Sequence, residues 1–210
     1  MSGVGGDGMA RSFDMEVREL VAGYRVREGA DLLIGRLGPE LRPFLHRLLG
    51  DAALAGEAYS ATCERLWRGL PTFRWECSLR SWSYIIARRE ASRCRERLVR
   101  AGEQHTTLSA ADGVPVQSRS TSSTLSTTRR DRLENLRASI SDEDRDILVM
   151  RVERGLQWKE IAVAFLDEET TEAEAIARES ARLRQRFRAI RAGVAAAIST
   201  EPEGSPSKKR

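Results

Sequence analysis

The sequence predicts an all-α protein made of two small helical domains joined by a flexible linker. Three observations predict it. Apolar residues recur at helical spacing over most of the chain, and no stretch of useful length alternates as a strand would. A Ser/Thr-rich run, SRSTSSTLSTT, separates the two helical halves. No apolar run approaches the roughly 18 residues needed to span a bilayer, and the 31% share of charged residues is ordinary for a soluble protein.

Residues 1–11 contain GVGGDG, which superficially resembles a phosphate-cradling glycine loop. No strand precedes it, so the segment reads as a disordered N-terminus. A first domain spans 12–100. Its first helix covers 13–27, with Phe13, Val17, Leu20, Val21 and Tyr24 in phase. A second covers roughly 31–49, with a kink or break near Gly38-Pro39. A third covers about 53–70, where Tyr59, Cys63, Leu66, Trp67 and Leu70 form one stripe before Pro71 ends it. A fourth starts at Ser78, a suitable N-cap, and runs to about Arg100. Residues 101–128 bury too little apolar surface to fold alone and form the linker.

The second domain spans 129–198. Its first helix covers 129–139. Ser141 then caps a helix whose first turn is acidic, which carries Ile147, Leu148 and Met150 and ends near Gly155. QWKEIAVAFL, residues 157–166, is a short helix with Trp158, Ile161, Ala162 and Phe165 inward. Thr171 and Glu174 have the spacing of a capping box. They open a long helix to about Ile198, with Ile176, Leu183, Phe187, Ile190 and Val194 at helical spacing. Residues 199–210 read as a disordered tail.

The chemistry concentrates in residues 73–100. Phe73, Trp75, Trp82 and Tyr84 stand beside Arg74, Arg80, Arg88, Arg89, Arg93, Arg95, Arg97 and Arg100. Only 6% of the chain is aromatic, so this clustering is not background. Aromatic faces take unstacked bases, and guanidinium groups hold phosphates and base edges. The same composition also suits an amphipathic core helix with a solvated basic face. Phase sharpens the choice. Leu79, Trp82 and Ile86 share one face, with Ile85 beside it. One turn later that sector holds Arg89, Arg93, Arg97 and Arg100. A helix that becomes basic nearly all round has entered solvent or a polyanion groove. The net charge of +4 hints mildly at nucleic acid.

Cys63, Cys77 and Cys94 have unrelated spacings, and His46 and His105 are the only histidines. No metal-ligand pattern results. No paired carboxylate or His-centred triad suggests a catalytic residue. The expectation is a non-enzymatic protein without cofactor. The N-terminus has no signal-peptide pattern, which places it in the cytoplasm.

Two segments carry a family resemblance. ERLWRGLPTFRWECSLRSWSYIIARRE, residues 64–90, resembles a run of acidic helix, "W..L..F", a short Ser-containing loop and "W.Y.IAR". SDEDRDILVMRVERGLQWKEIAVAFL, residues 141–166, resembles "L…R.v…R…G.s..EIA..l", the opening of a helix-turn-helix. In this order they resemble the extracytoplasmic-function class of bacterial RNA polymerase sigma factors. The resemblance implies a region 2-like bundle, then a region 4-like helix-turn-helix. It implies that Glu57, Ser60, Glu64 and Arg68 bind core polymerase. Phe73, Arg74, Trp75, Arg80, Trp82, Tyr84, Arg88, Arg89 and Arg93 would open and hold the −10 element. Arg182, Arg184, Gln185, Arg186 and Arg188 would read the −35 element. The implied partners are the polymerase core (the clamp of its largest subunit and the flap of the second-largest) and promoter DNA. An anti-sigma protein is a further partner class to test for. The linker would run through the RNA-exit path.

The chain departs from that pattern in three places. The clamp helix shows Gly56, Glu57, Ala58, Tyr59, Ser60 and Ala61 where the family has acid-acid-Leu-Val-Gln-acid. Arg89 replaces the Asn of "IARN", a donor fork in place of a mixed donor and acceptor. Between Leu166 and Leu183 lies an acidic insert containing Asp167, Glu168, Glu169, Glu172 and Glu174. Either the last helix starts early or the insert forms a separate turn. The competing reading is a helix-turn-helix regulator that acts without core polymerase. It explains residues 129–198 but not the Trp and Arg run at 73–97.

Overall fold

The computed structural model describes residues 5–108, 140–170 and 172–199. The expected helix of 129–139, most of the linker, Thr171 and the tail beyond Ser199 lie outside these. Among the described residues every regular element is a helix. None is long and apolar enough to cross a membrane.

Helix α1 (Gly5–Ala22) starts inside the glycine-rich segment that the sequence assigns to disorder. Once a helix is nucleated, each added residue gains a backbone bond, which lets it run back through weak formers. It ends earlier than expected, at a turn where Tyr24 takes the left-handed φ of 59°.

Helix α2 (Val26–Leu49) has no break near Gly38-Pro39: it continues as one helix through Pro39 and Pro43. Proline in a helix interior costs roughly 3 kcal/mol. Both prolines are exposed, on the side where carbonyls can tilt toward water. The opposite stripe buries Leu33, Leu37, Leu41, Phe44, Leu45 and Leu48 on both sides of them. That burial outweighs the lost bonds. The helix stops at Gly50, whose φ of 71° needs glycine and whose N–H closes on the His46 carbonyl.

Helix α3 (Ala52–Gly69) is capped by the Asp51 carboxylate, which accepts from the Leu54 amide at 2.9 Å. Its buried stripe is Ala55, Ala58, Thr62 and Leu66. Of the expected stripe, Leu66 and Leu70 are buried and Tyr59 and Cys63 half-buried, but Trp67 stands 51% exposed. Tight packing sets the phase: a Cβ on Gly38 of α2 would lie 2.6 Å from the Tyr59 hydroxyl. Ala55, Ala58 and Thr62 are buried, Tyr59 reaches Gly38 of α2, and Trp67 is turned outward.

A short 3-10 turn, Leu70–Thr72, leads to a loop and helix α4 (Leu79–Leu108). Ser78 caps it as expected, its hydroxyl accepting from the Ser81 amide at 3.0 Å. The helix continues past Arg100 into the segment assigned to the linker.

The second half holds α5 (Asp142–Leu148), a π-turn at Val149–Glu153, α6 (Trp158–Phe165) and α7 (Ala173–Ser199). Ser141 caps α5, accepting from the Asp144 amide at 3.1 Å. The π-turn shifts the phase, so that Val149 and Met150 are buried while Val152 is 66% exposed. Gln157 and Glu160 form a capping box on α6. The insert resolves as a short turn followed by an early start of the last helix. Ile176, Leu183 and Ile190 of α7 are buried as the spacing predicts, and Phe187 packs edge-on to Trp158 at 5.4 Å. Helix α4 packs on α2 and α3 along one flank and on α6 along another.

Candidate nucleic-acid interface

Two rings of the loop between the 3-10 turn and α4, Phe73 and Trp75, form one cluster with Trp82 of α4. Phe73 stacks on Trp82, with centroids 4.5 Å apart and planes 26° from parallel. Trp75 lies 5.0 Å from Phe73, and the Arg18 guanidinium sits 5.6 Å over the Trp75 ring. Trp75 holds a φ of 59°, uncommon for a bulky side chain and maintained only where its surroundings over-determine it. The loop is tied to α1, where the Asp14 carboxylate accepts from the Leu79 amide at 3.3 Å. Burial raises the Asp14 pKa, and that backbone bond opposes the rise. Trp82 lies against Gly69, where an added Cβ would meet its ring at 3.1 Å.

Tyr84 requires a correction. Its ring is 1% exposed, edge-on to Phe44 at 4.8 Å, and its hydroxyl donates to Glu40 at 2.9 Å. Burial first, then the Glu40 bond, push its pKa up to about 12. A base cannot reach it. Tyr84 is a core residue because α4 is covered on more than one flank, which its phase alone does not reveal.

Five arginines of α4, Arg80, Arg88, Arg89, Arg93 and Arg95, are held by partners within the chain, while Arg97 and Arg100 are exposed. Arg88 donates to Asp146 and to the Ala164 carbonyl, both at 3.1 Å, with its guanidinium 3.8 Å from the Phe165 ring centroid. Arg89 donates to the carbonyls of Val163 at 2.6 Å and Leu166 at 3.1 Å. Arg93 pairs with Glu168 at 2.7 Å and with Glu90. Arg95 reaches Asp146 at 2.6 Å. Arg80 bonds Glu40 and the Arg154 carbonyl, each at 3.1 Å. Desolvation lowers the pKa of Arg88 and Arg89, although both remain charged at any ordinary pH. Burial pulls against ionisation of Glu168, but the Arg93 bond and the charges of Arg65, Arg93 and Arg89 outweigh it and hold its pKa low. The Nε atoms of Arg89, Arg95 and Arg154 are buried without a hydrogen-bond partner. Each such orphan costs about 1–3 kcal/mol.

Arg74 is exposed beside the rings. A cleft of about 580 Å³ opens there, lined by Phe73, Arg74, Trp82, Arg65, Arg68 and Arg89 among others. It combines ring faces with guanidinium donors, the chemistry that holds an unstacked base. Arg65 was not singled out in the sequence. It bridges Glu90 at 2.8 Å and Glu168, and only the tertiary fold brings those groups together.

The outer face of α3 is open. Glu57, Ser60, Glu64 and Arg68 are exposed, and Glu64 pairs with Arg68 at 2.7 Å. Trp67 shares this face, an anchor the sequence stripe assigned to the core.

On α7 the five polar residues divide into two groups. Arg186 forks onto Asp144 at 2.6 and 2.8 Å. Arg182 pairs with Glu179 at 2.7 Å and Glu143 at 2.6 Å. Arg184, Gln185 and Arg188 are exposed, and none has an ion pair among the described residues. Glu172 and Glu174 are exposed at the start of the helix.

Residues 33–100 match the family model for sigma-70 region 2. No match to the chain was found among curated proteins. The matched span holds most of α2, all of α3, the aromatic loop and α4 as far as Arg100, the same elements that bring rings and guanidinium groups to one surface. On that match residues 33–100 form a sigma-70 region 2 domain, about a third of the chain, and this supports a place for the protein among the sigma-70 factors.

Proposed function

We propose that this chain is an extracytoplasmic-function sigma factor that brings cytoplasmic RNA polymerase core to its promoters, has no catalytic residue of its own and needs no cofactor. The observation that carries the reading is the ring cluster of Phe73, Trp75 and Trp82 within the region 2 match, beside a cleft lined by Arg65, Arg68, Arg74 and Arg89. Rings take the opened −10 strand, and arginines hold its backbone and edges. The open face of α3, with Glu57, Ser60, Glu64, Arg68 and Trp67, takes the polymerase clamp. The second half docks on the flap and presents α7 to the −35 element.

Binding to a duplex promoter fragment tests this reading. The free protein should bind poorly and without sequence preference, and added core should make binding specific. Nanomolar sequence-specific binding by the free protein, unchanged by core, would support the core-independent regulator instead.

The −35 contact has an internal test. Arg184, Gln185 and Arg188 have donors to spare, whereas Arg182 and Arg186 are already held by acids on α5 or on α7 itself. Arg184→Ala or Arg188→Ala should relax base choice at −35, because a base contact carries sequence information and a phosphate contact does not. Arg182→Ala and Arg186→Ala should reduce −35-dependent transcription without changing the preferred bases. Glu172→Ala and Glu174→Ala should leave promoter choice unchanged. Promoter-library sequencing reads all of these. An altered −35 preference in the Glu variants but not the Arg variants would mean that α7 meets DNA through its first turns.

A further inference from the structure

Helix α1 lies outside the region 2 match, yet it holds the aromatic loop by two contacts made one turn apart. Asp14 makes the first. The opening amides of a helix have no partner inside it, and α4 has no acidic residue in its first turn. The Ser78 hydroxyl takes the Ser81 amide, and the Asp14 carboxylate takes the Leu79 amide, both oxygens at 3.3 Å. Part of the cap that fixes where α4 begins therefore comes from another helix, 65 residues away in the chain. Arg18 makes the second contact, its guanidinium 5.6 Å over the Trp75 ring. Trp75 lies 5.0 Å from Phe73, which stacks on Trp82. Phe73 and Trp82 line the open cleft, and Trp75 does not. Trp75 also holds the left-handed φ of 59°, which a bulky residue keeps only where its neighbours constrain it. Arg18 and Phe73 both engage its ring.

We infer that Asp14 and Arg18 are positioning residues for −10 recognition: they set the loop of 73–78, and Trp75 carries the constraint from α1 to Phe73, so that the ring meets an unstacked base at one angle. The inference rests on the −10 assignment made above. A recognition site works only when its contacting groups are held by packing and by the residues behind them. Helix α1 is a fixed support for that purpose. Val17, which lies between the two residues in sequence, is fully buried, and a Cβ added to Gly29 of α2 would meet it at 3.6 Å. Arg18 itself is exposed, so its place over Trp75 adds nothing to the core. Its contact acts on the loop alone.

The test uses the full chain with polymerase core on the strongest promoter recovered from a library of genomic fragments. Opening is read by permanganate reactivity of unpaired thymines, and base choice by sequencing transcripts from a −10 library. Arg18→Gln should lower opening about two- to fivefold, the range for an exposed cation over a ring. Asp14→Ala should lower it about fivefold, the usual worth of a cap. Both should shift preference at the −10 position that Phe73→Ala shifts, which a general loss of stability would not do. Arg18→Lys keeps a cation over the ring, and Asp14→Asn keeps an acceptor for the Leu79 amide. Each should return to within about twofold of wild type. In a Phe73→Ala background Arg18→Gln should add little, because its effect passes through Phe73. Glu16→Gln, which removes an exposed charge from the same helix, is the control. Opening and preference equal to the control would overturn the inference. A uniform loss with no change in preference would also overturn it, as would a full additional loss from Arg18→Gln in the Phe73→Ala background. Arg18 is exposed, so Arg18→Gln still decides if Asp14→Ala fails to fold. The wild-type reactions separate the two claims. Core-dependent initiation with unaffected variants overturns the positioning alone, and no initiation overturns the reading beneath it.

Discussion

Phe44→Ala should destabilise the first half by about 3–5 kcal/mol, the usual cost of emptying a buried aromatic site. Phe44 is fully buried on α2, between Leu41, Leu45 and Leu48 of its own stripe and the edge of the Tyr84 ring on α4. The Arg154 guanidinium of the second half lies 5.9 Å from its centroid. Removing the ring takes the support from Tyr84, whose hydroxyl bond to Glu40 fixes the rotation of α4. The loss therefore reaches function: α4 presents the arginines, and promoter opening should fall with stability. Phe44→Leu, closer in volume, should cost clearly less. Leu98→Ala, at a half-exposed site, should change stability by about 0.5 kcal/mol or less. Urea unfolding followed by circular dichroism measures all three. A Phe44→Ala loss below about 1 kcal/mol would mean that the α2–α4 contact is not the centre of this core.

Arg89→Ala is expected to flatten the preference at one −10 position. A good bidentate contact to a base is worth about 1–3 kcal/mol of discrimination. Arg89 lines the cleft beside Phe73 and Trp82, and its guanidinium now donates to two carbonyls. A base edge at −10 would take those donors in place of the carbonyls. Arg93→Ala is the contrast. Arg93 pairs with the carboxylates of Glu168 and Glu90 and does not line the ring cleft, so its replacement should weaken all promoters alike. Sequencing of −10 libraries transcribed with core distinguishes the two. A uniform loss in Arg89→Ala would reduce Arg89 to a phosphate clamp.

The all-helical class and the boundaries of α3, α5 and α6 were legible in the sequence because short-range signals set them. Asp51, Ser78 and Ser141 cap where such residues should, and Gly50 and Gly155 take left-handed turns. What the sequence hid depends on tertiary packing. Pro39 predicted a break, yet the leucine stripe on the opposite face carried α2 through. Trp67 fits an apolar stripe in phase, but close approach at Gly38 and Tyr59 rotates α3 so that Trp67 faces out. Tyr84 looks like one of a basic surface's rings until α2 and the second half cover it. Two departures visible in the sequence, Arg89 and the acidic insert, lie far apart in the chain. Only the fold shows that they meet. Arg182 and Arg186 share a helix with Arg184 and Arg188, and no periodicity tells which pair α5 will hold.

Run-off transcription with purified core on a library of genomic fragments tests the sigma-factor reading most directly. It should yield a defined set of transcripts only when this protein is present. Their start sites should share a −10 and a −35 motif, and Trp82→Ala and Arg89→Ala should lower or redistribute the yield. Transcripts identical with and without the protein, or a motif retained by the protein in the absence of core, would contradict it.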